Sequence, residues 1–208
     1  MGSRDAARGR RAAEALGTGA RPVRLDVTDV ASVAAAVRVI ETGGGLDVLV
    51  NNAGIEARGP DNEVTGAADV TADAMREVFD TNVFGTVRVT HAFLPLLRRS
   101  AAPVVVNVSS GLASLTLVTE PGNPAAAYPG VAYPASKAAV NMVTVQYAKS
   151  FPDMRINAVE PGFTRTDLNG NTGTRTVEEG AEIIVRMARV GPDGPTGGYF
   201  DVAGPLPW

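Results

Sequence analysis

"LDVLVNNAG", residues 46–54, is a short apolar run that stops abruptly in asparagine, alanine and glycine. The run reads as a strand buried on both sides, because a half-exposed strand would alternate apolar and polar residues. Two later stretches repeat the design: "APVVVNVSSG" (102–111) and "MRINAVEPG" (154–162) are also apolar runs that end in small polar residues. Segments of helical period lie around them. One begins with Thr28 or Asp29 as N-cap, one spans 71–100 with an offset near Asn82–Gly85, and others cover 133–151 and 177–190. "PVRLDV" (22–27) and "GGYFDVAG" (197–204) complete the strand set. Buried strands that alternate with helices specify an α/β fold, a parallel sheet wound with helices on both faces. Ligands of such sheets gather beyond the carboxyl ends of the strands. "NNAG", "NVSSG" and "EPGFTRT" all fall at that edge, which argues for one shared cleft.

Composition narrows the chemistry. The 208 residues, 45% of them hydrophobic, suffice for a single domain with a sizeable core. A net charge of −3 gives no general attraction to nucleic acid, so no nucleic-acid partner is expected. No apolar run is long enough to span a membrane, and there is no signal-peptide core. The absence of cysteine rules out disulfides, thiolate metal sites and cysteine nucleophiles, and fits a reducing, cytoplasmic setting. One histidine, His91, cannot build a histidine metal cluster; its helix-like surroundings "VRVTHAFLPLL" suggest a structural role, and no metal is expected. The Arg-rich opening "MGSRDAARGRRAAEAL" is interrupted by Asp5 and Glu14 and reads as an ordinary solvated helix. Residues 112–132 are long for a strand-to-helix connection and are expected to form an irregular substrate-loop insertion.

"YPASK" (133–137) poses a sharper question. Seventeen of the nineteen basic residues are arginine, yet a lysine, Lys137, follows Tyr133 by four positions. On a helix the two share a face one turn apart. Lysine offers a compact charge with a tunable pKa, where arginine offers a wide fork.

In order and spacing, "SRDAARG", "LDVTD", "DVLVNNAG", "TNVFGT", "VVNVSS", "YPASK", "PGFTRTD" and the closing "GPTGGYFDVAGPLPW" resemble the short-chain dehydrogenase/reductase family, specifically its carbonyl-reductase-like members. The resemblance implies a Rossmann-like sheet and an NADP(H)-dependent oxidoreductase. Such an enzyme passes hydride reversibly between the nicotinamide and a small-molecule ketone, aldehyde or alcohol. It assigns Tyr133 as proton donor, with Lys137 lowering the phenol's pKa and holding the nicotinamide ribose. It assigns Ser110 to the substrate oxygen and Asn82 to a water in the proton relay. It places Asp26 and Val27 at the adenine, Asn52, Ala53 and Gly54 along the ribose and phosphate path, and Pro161, Gly162, Thr164 and Thr166 around the nicotinamide. Arg4 occupies the position where a cation suits the 2′-phosphate, so NADP(H) is expected over NAD(H).

One part of the pattern is missing. The chain contains no Thr-Gly-x-x-x-Gly-x-Gly turn. The resemblance therefore implies an N-terminally incomplete domain over 1–208, without the first strand, the first helix and most of the second strand. That would remove a central strand between those at 22–27 and 46–50, and the backbone N–H cradle for phosphate. A non-catalytic binding or scaffold remnant is the alternative reading, and a dehydratase or epimerase on the same fold a further one. The substrate and the choice between monomer and homo-oligomer stay open.

Overall fold

The computed structural model describes residues 1–17, 19–59 and 63–208. Its strands are β1 (Gly2–Ser3), β2 (Val23–Arg24), β3 (Val48–Asn51), β4 (Val104–Val108), β5 (Arg155–Val159) and β6 (Tyr199–Phe200). Its α-helices are α1 (Ala6–Leu16), α2 (Val30–Thr42), α3 (Ala72–Phe79), α4 (Gly85–Leu97), α5 (Leu115–Thr119), α6 (Ala132–Ser150) and α7 (Val177–Ala188). All strand pairs are parallel. The α/β class expected from the sequence is thus the class observed.

The sheet is divided. β1 and β2 form a two-stranded sheet, and β3-β4-β5-β6 form a separate four-stranded one. The break falls between the strands at 23–24 and 48–51, where the sequence implied that a central strand was missing. Arg88 of α4, which donates to the Val27 carbonyl, helps to hold the smaller sheet in place. Gly85 does so as well: a Cβ there would stand 2.8 Å from Val27 Cγ2, so glycine lets the α4 backbone sit directly against the Val27 side chain.

β4 is the spine of the larger sheet, with all five residues buried. Successive side chains point to opposite faces. Val105 joins Leu49 and Ile156 under α2, α4 and α6, while Val104, Val106 and Val108 pack with Val159 against Ile183 and Met187 of α7. Asn107 breaks the apolar alternation and is fully paired. It accepts from Asn51 Nδ2 at 2.8 Å and donates to Thr144 Oγ1 of α6 at 2.8 Å. Asn51 Nδ2 also reaches Thr90 of α4 at 3.0 Å.

The helix signals held, with adjustments. Asp29 caps α2 by accepting from Ala31 N. The offset near Asn82–Gly85 is a π-helical turn, Asp80–Phe84, which separates α3 from α4. The single long helix read over 71–100 is therefore three consecutive helical pieces. His91 lies on the exposed side of α4 and not in the core. Residues 112–132 are less irregular than expected. Ser114 caps α5 through its side chain, and Asn123 and Pro124 start a 3-10 turn, so local capping chemistry supplies order that hydrophobic period does not reveal.

Candidate active site

The carboxyl ends of β3, β4 and β5 supply one cluster. The π turn at 80–84 aims Asn82 inward, where it is 1% exposed. Asn82 Oδ1 accepts from Ile55 N at 2.8 Å, and Nδ2 donates to the Ile55 carbonyl and to Ser136 Oγ, both at 2.9 Å. Asn82 therefore pins the chain leaving β3 to the first turn of α6. Ser136 continues the link by donating to the Tyr133 carbonyl at 2.7 Å.

Tyr133 and Lys137 share a face of α6, as their spacing predicts, and the ammonium lies 5.6 Å from the centre of the phenol ring. The Ser110 hydroxyl lies beside the Tyr133 phenol, close enough to favour its charged form. Lys137 is buried and donates to the Val108 carbonyl at 2.7 Å. A Cβ on Gly54 would stand 3.4 Å from Lys137 Nζ and 3.5 Å from Asn82 Oδ1, which ties the "NNAG" turn to the same cluster. Tyr133, Lys137, Ser110, Asn82 and Gly54 are thus brought together.

Burial governs the electrostatics of the pair. Burial raises the phenol well above the usual tyrosine value, the Glu56 carboxylate adds to the rise, the Ser110 hydroxyl works against it, and Glu160 adds again. Burial also brings Lys137 down to about 8. Desolvation is the largest influence on both groups.

The remaining sequence-assigned residues occupy two places. Gly162 adopts φ +78, a conformation that favours glycine, and its N–H donates to Glu160 Oε2 at 2.6 Å. Thr164 Oγ1 donates to the Pro161 and Gly162 carbonyls, and Thr166 caps the following short turn. Asn52 and Ala53 are exposed at the end of β3. Arg4, Asp26 and Val27 form a second group, at the ends of β1 and β2. Thr28 holds Asp26 through both its hydroxyl and its N–H, and these bonds keep the carboxyl below its usual range, with smaller help from the Arg4 and Arg24 charges. Arg4 itself is exposed.

Several residues at the site were not singled out from the sequence. Glu56 accepts from the Tyr128 hydroxyl and from Arg58 at 2.6 Å, so the 112–132 segment is fastened to the chain beyond β3. Glu160, whose pKa burial raises, accepts from the Gly162 amide and packs beside Gly111, so it joins the turn carrying Ser110 to the turn carrying Gly162. A charged residue directly after a buried strand was the available signal for Glu160; nothing local marked Glu56. Among the described residues no group of three or more His, Cys, Asp or Glu could hold a metal ion. No helix among them is long and apolar enough to cross a membrane.

The parallel sheet, with Tyr, Lys, Ser and Asn gathered at its strand ends, finds its counterparts among known oxidoreductases. The short chain dehydrogenase profile matches residues 2–177, and the chain belongs to that family of oxidoreductases, which bind a nicotinamide cofactor. It is 31% identical over 240 residues to (+)-neomenthol dehydrogenase from Capsicum annuum, covering 85% of this chain and 76% of that protein. The solved structure of salutaridine reductase from Papaver somniferum superposes with a TM-score of 0.81 at 28% identity, covering 96% of this chain and 89% of that one. An NADPH-bound carbonyl reductase from chicken fatty liver gives a TM-score of 0.78 at 26% identity, covering 99% and 85%.

Proposed function

We propose that the chain is an NADP(H)-dependent carbonyl reductase in which Tyr133 donates the proton, Ser110 orients the substrate oxygen, Lys137 holds the nicotinamide ribose, and Asn82 sustains the proton path. The observation that carries this reading is the Lys137 ammonium 5.6 Å from the Tyr133 ring, with Ser110 beside the same phenol. A ketone oxygen placed between the serine and the phenol would meet two O–H donors aimed at the charge that develops on reduction. The raised pKa of Tyr133 keeps the phenol protonated at neutral pH, which suits a proton donor.

The residues present fit the nicotinamide-ribose half of a dinucleotide. Gly54 lets backbone pass close to Lys137 and Asn82, and Asn52 and Ala53 leave that edge open. When bound, the cofactor supplies the hydride and, in its oxidised form, a positive charge near the phenol. Arg4, exposed beside Asp26, is the cation suited to a 2′-phosphate, and likeness to an NADPH-bound carbonyl reductase supports the same preference. Residues 112–132, anchored through Tyr128 to Glu56, form the substrate-side wall of the single domain.

The test is NADPH oxidation at 340 nm by the purified chain with a panel of cyclic ketones. Tyr133→Phe should reduce turnover at least about 100-fold while the circular-dichroism spectrum stays unchanged, the range expected for loss of an acid catalyst. Turnover within threefold of the parent would remove Tyr133 from its role.

A further inference from the structure

Ser110 is gripped from a side that its motif does not announce. Its carbonyl accepts from Ala113 N at 2.8 Å and also from the Tyr199 hydroxyl at 2.5 Å. Tyr199 belongs to β6, 89 residues further along the chain, and is 1% exposed. Its ring stacks on Trp208, with centroids 5.4 Å apart and planes inclined by 19°. Trp208 is reached because the chain doubles back after β6. Asp201 Oδ1 accepts from Ala203 N and Gly204 N to make the turn, and Leu206 N donates to the Tyr199 carbonyl. The Trp208 carbonyl then accepts from Thr116 N at 3.2 Å and Thr116 Oγ1 at 3.0 Å, on the first turn of α5.

These contacts close a loop around the site. Ser110 leads into the 112–132 segment, that segment is held at Thr116 by Trp208, and Trp208 lies on the ring whose hydroxyl holds Ser110. We infer that Tyr199 is a positioning residue for Ser110, latched by the Trp208 stack, and that residues 199–208 and the start of the substrate loop act as one body. This deepens the proposed function and rests on it for the role of Ser110.

A buried phenol ordinarily finds a hydrogen-bond partner, so the bond alone would satisfy Tyr199. Its target is what matters. Fixing the Ser110 carbonyl fixes the peptide that carries the side chain beside the Tyr133 phenol, and small misplacements of a catalytic group are costly in rate. The hydroxyl therefore acts on turnover more than on substrate binding.

Tyr199→Phe keeps the ring and the stack while removing the bond. In ketone reduction, kcat should fall about three- to tenfold, the worth of one hydrogen bond, with KM within about twofold. Hydrogen exchange supplies a readout that needs no turnover: amides 111–114 should exchange faster in Tyr199→Phe. The emission of Trp208, the sole tryptophan, should stay that of the parent, showing that the stack survives. Unchanged exchange at 111–114, or unchanged kcat in an active enzyme, overturns the inference. A parent that binds NADPH yet reduces no ketone sinks the functional reading alone, and the exchange result still decides this one.

Discussion

Replacing Lys137 by methionine should make the protein more stable at neutral pH while destroying the proposed activity. Lys137 is 4% exposed, and the direct partner of its ammonium is the neutral Val108 carbonyl. Burial lowers its pKa from 10.5 to about 8. Between those values the unfolded chain binds more protons than the folded one, so stability rises with pH across that window. Below pH 8 both states are protonated, and the fold carries the full cost of a buried charge, about 3 kcal/mol at pH 7; at pH 10 less than about 1 kcal/mol remains. Methionine is unbranched and nearly fills the same space, but it leaves the Val108 carbonyl without its donor, which costs about 1 kcal/mol. The net expectation at pH 7 is a gain of about 2 kcal/mol, or a Tm higher by about 4–8 °C for a chain of this size. At pH 10 the gain should vanish. Urea melts of both proteins at pH 7 and pH 10 measure it. A variant no more stable than the parent at pH 7, or a difference independent of pH, refutes the reasoning.

Other outcomes follow from single contacts. Arg4→Ala should reduce the preference for NADPH over NADH by about 1–3 kcal/mol, measured as the ratio of kcat/KM values, without lowering stability; equal loss with both cofactors would count against a 2′-phosphate contact. Gly85→Ala should destabilise by about 1–3 kcal/mol, because its Cβ would stand 2.8 Å from Val27 Cγ2 where α4 meets the end of β2; thermal melts read this directly. The edge of β3 away from β4 has no strand hydrogen-bonded to it among the described residues, so sedimentation velocity should show concentration-dependent self-association, and a monomer at high concentration would contradict it.

The larger sheet was legible because β4 and most of β5 are buried on both faces and carry largely apolar runs, whereas β3, read from its apolar run as buried on both sides, leaves Val50 exposed at the edge with no strand beside it among the described residues. β1 and β2, two residues each, were harder to bound: only "PVRLDV" hinted at one of them. The Tyr133–Lys137 pair was legible because helical period makes neighbours of residues four apart. Ser110 and Asn82 were reached through motif resemblance. The grip on Ser110 by Tyr199 was not readable, since a contact across 89 residues leaves no local period. Spacing shows that an ammonium is near a phenol, but the burial that moves both groups is set by the whole fold and leaves no local mark.

The asparagine pair inside the sheet has a consequence for folding. Asn51 and Asn107 stand opposite each other in the parallel register of β3 and β4, and their amides link to Thr90 and Thr144 on the helices above. The valines around them would pack almost equally well one step out of line, so apolar matching alone specifies the alignment poorly. A slip of one residue would turn an asparagine toward the other face, among Val104, Val106 and Ile183, where each stranded amide costs about 1–3 kcal/mol. The pair thus serves as a combination lock on strand alignment. It screens out mispaired chains during folding, before the site exists to be tested by any ligand.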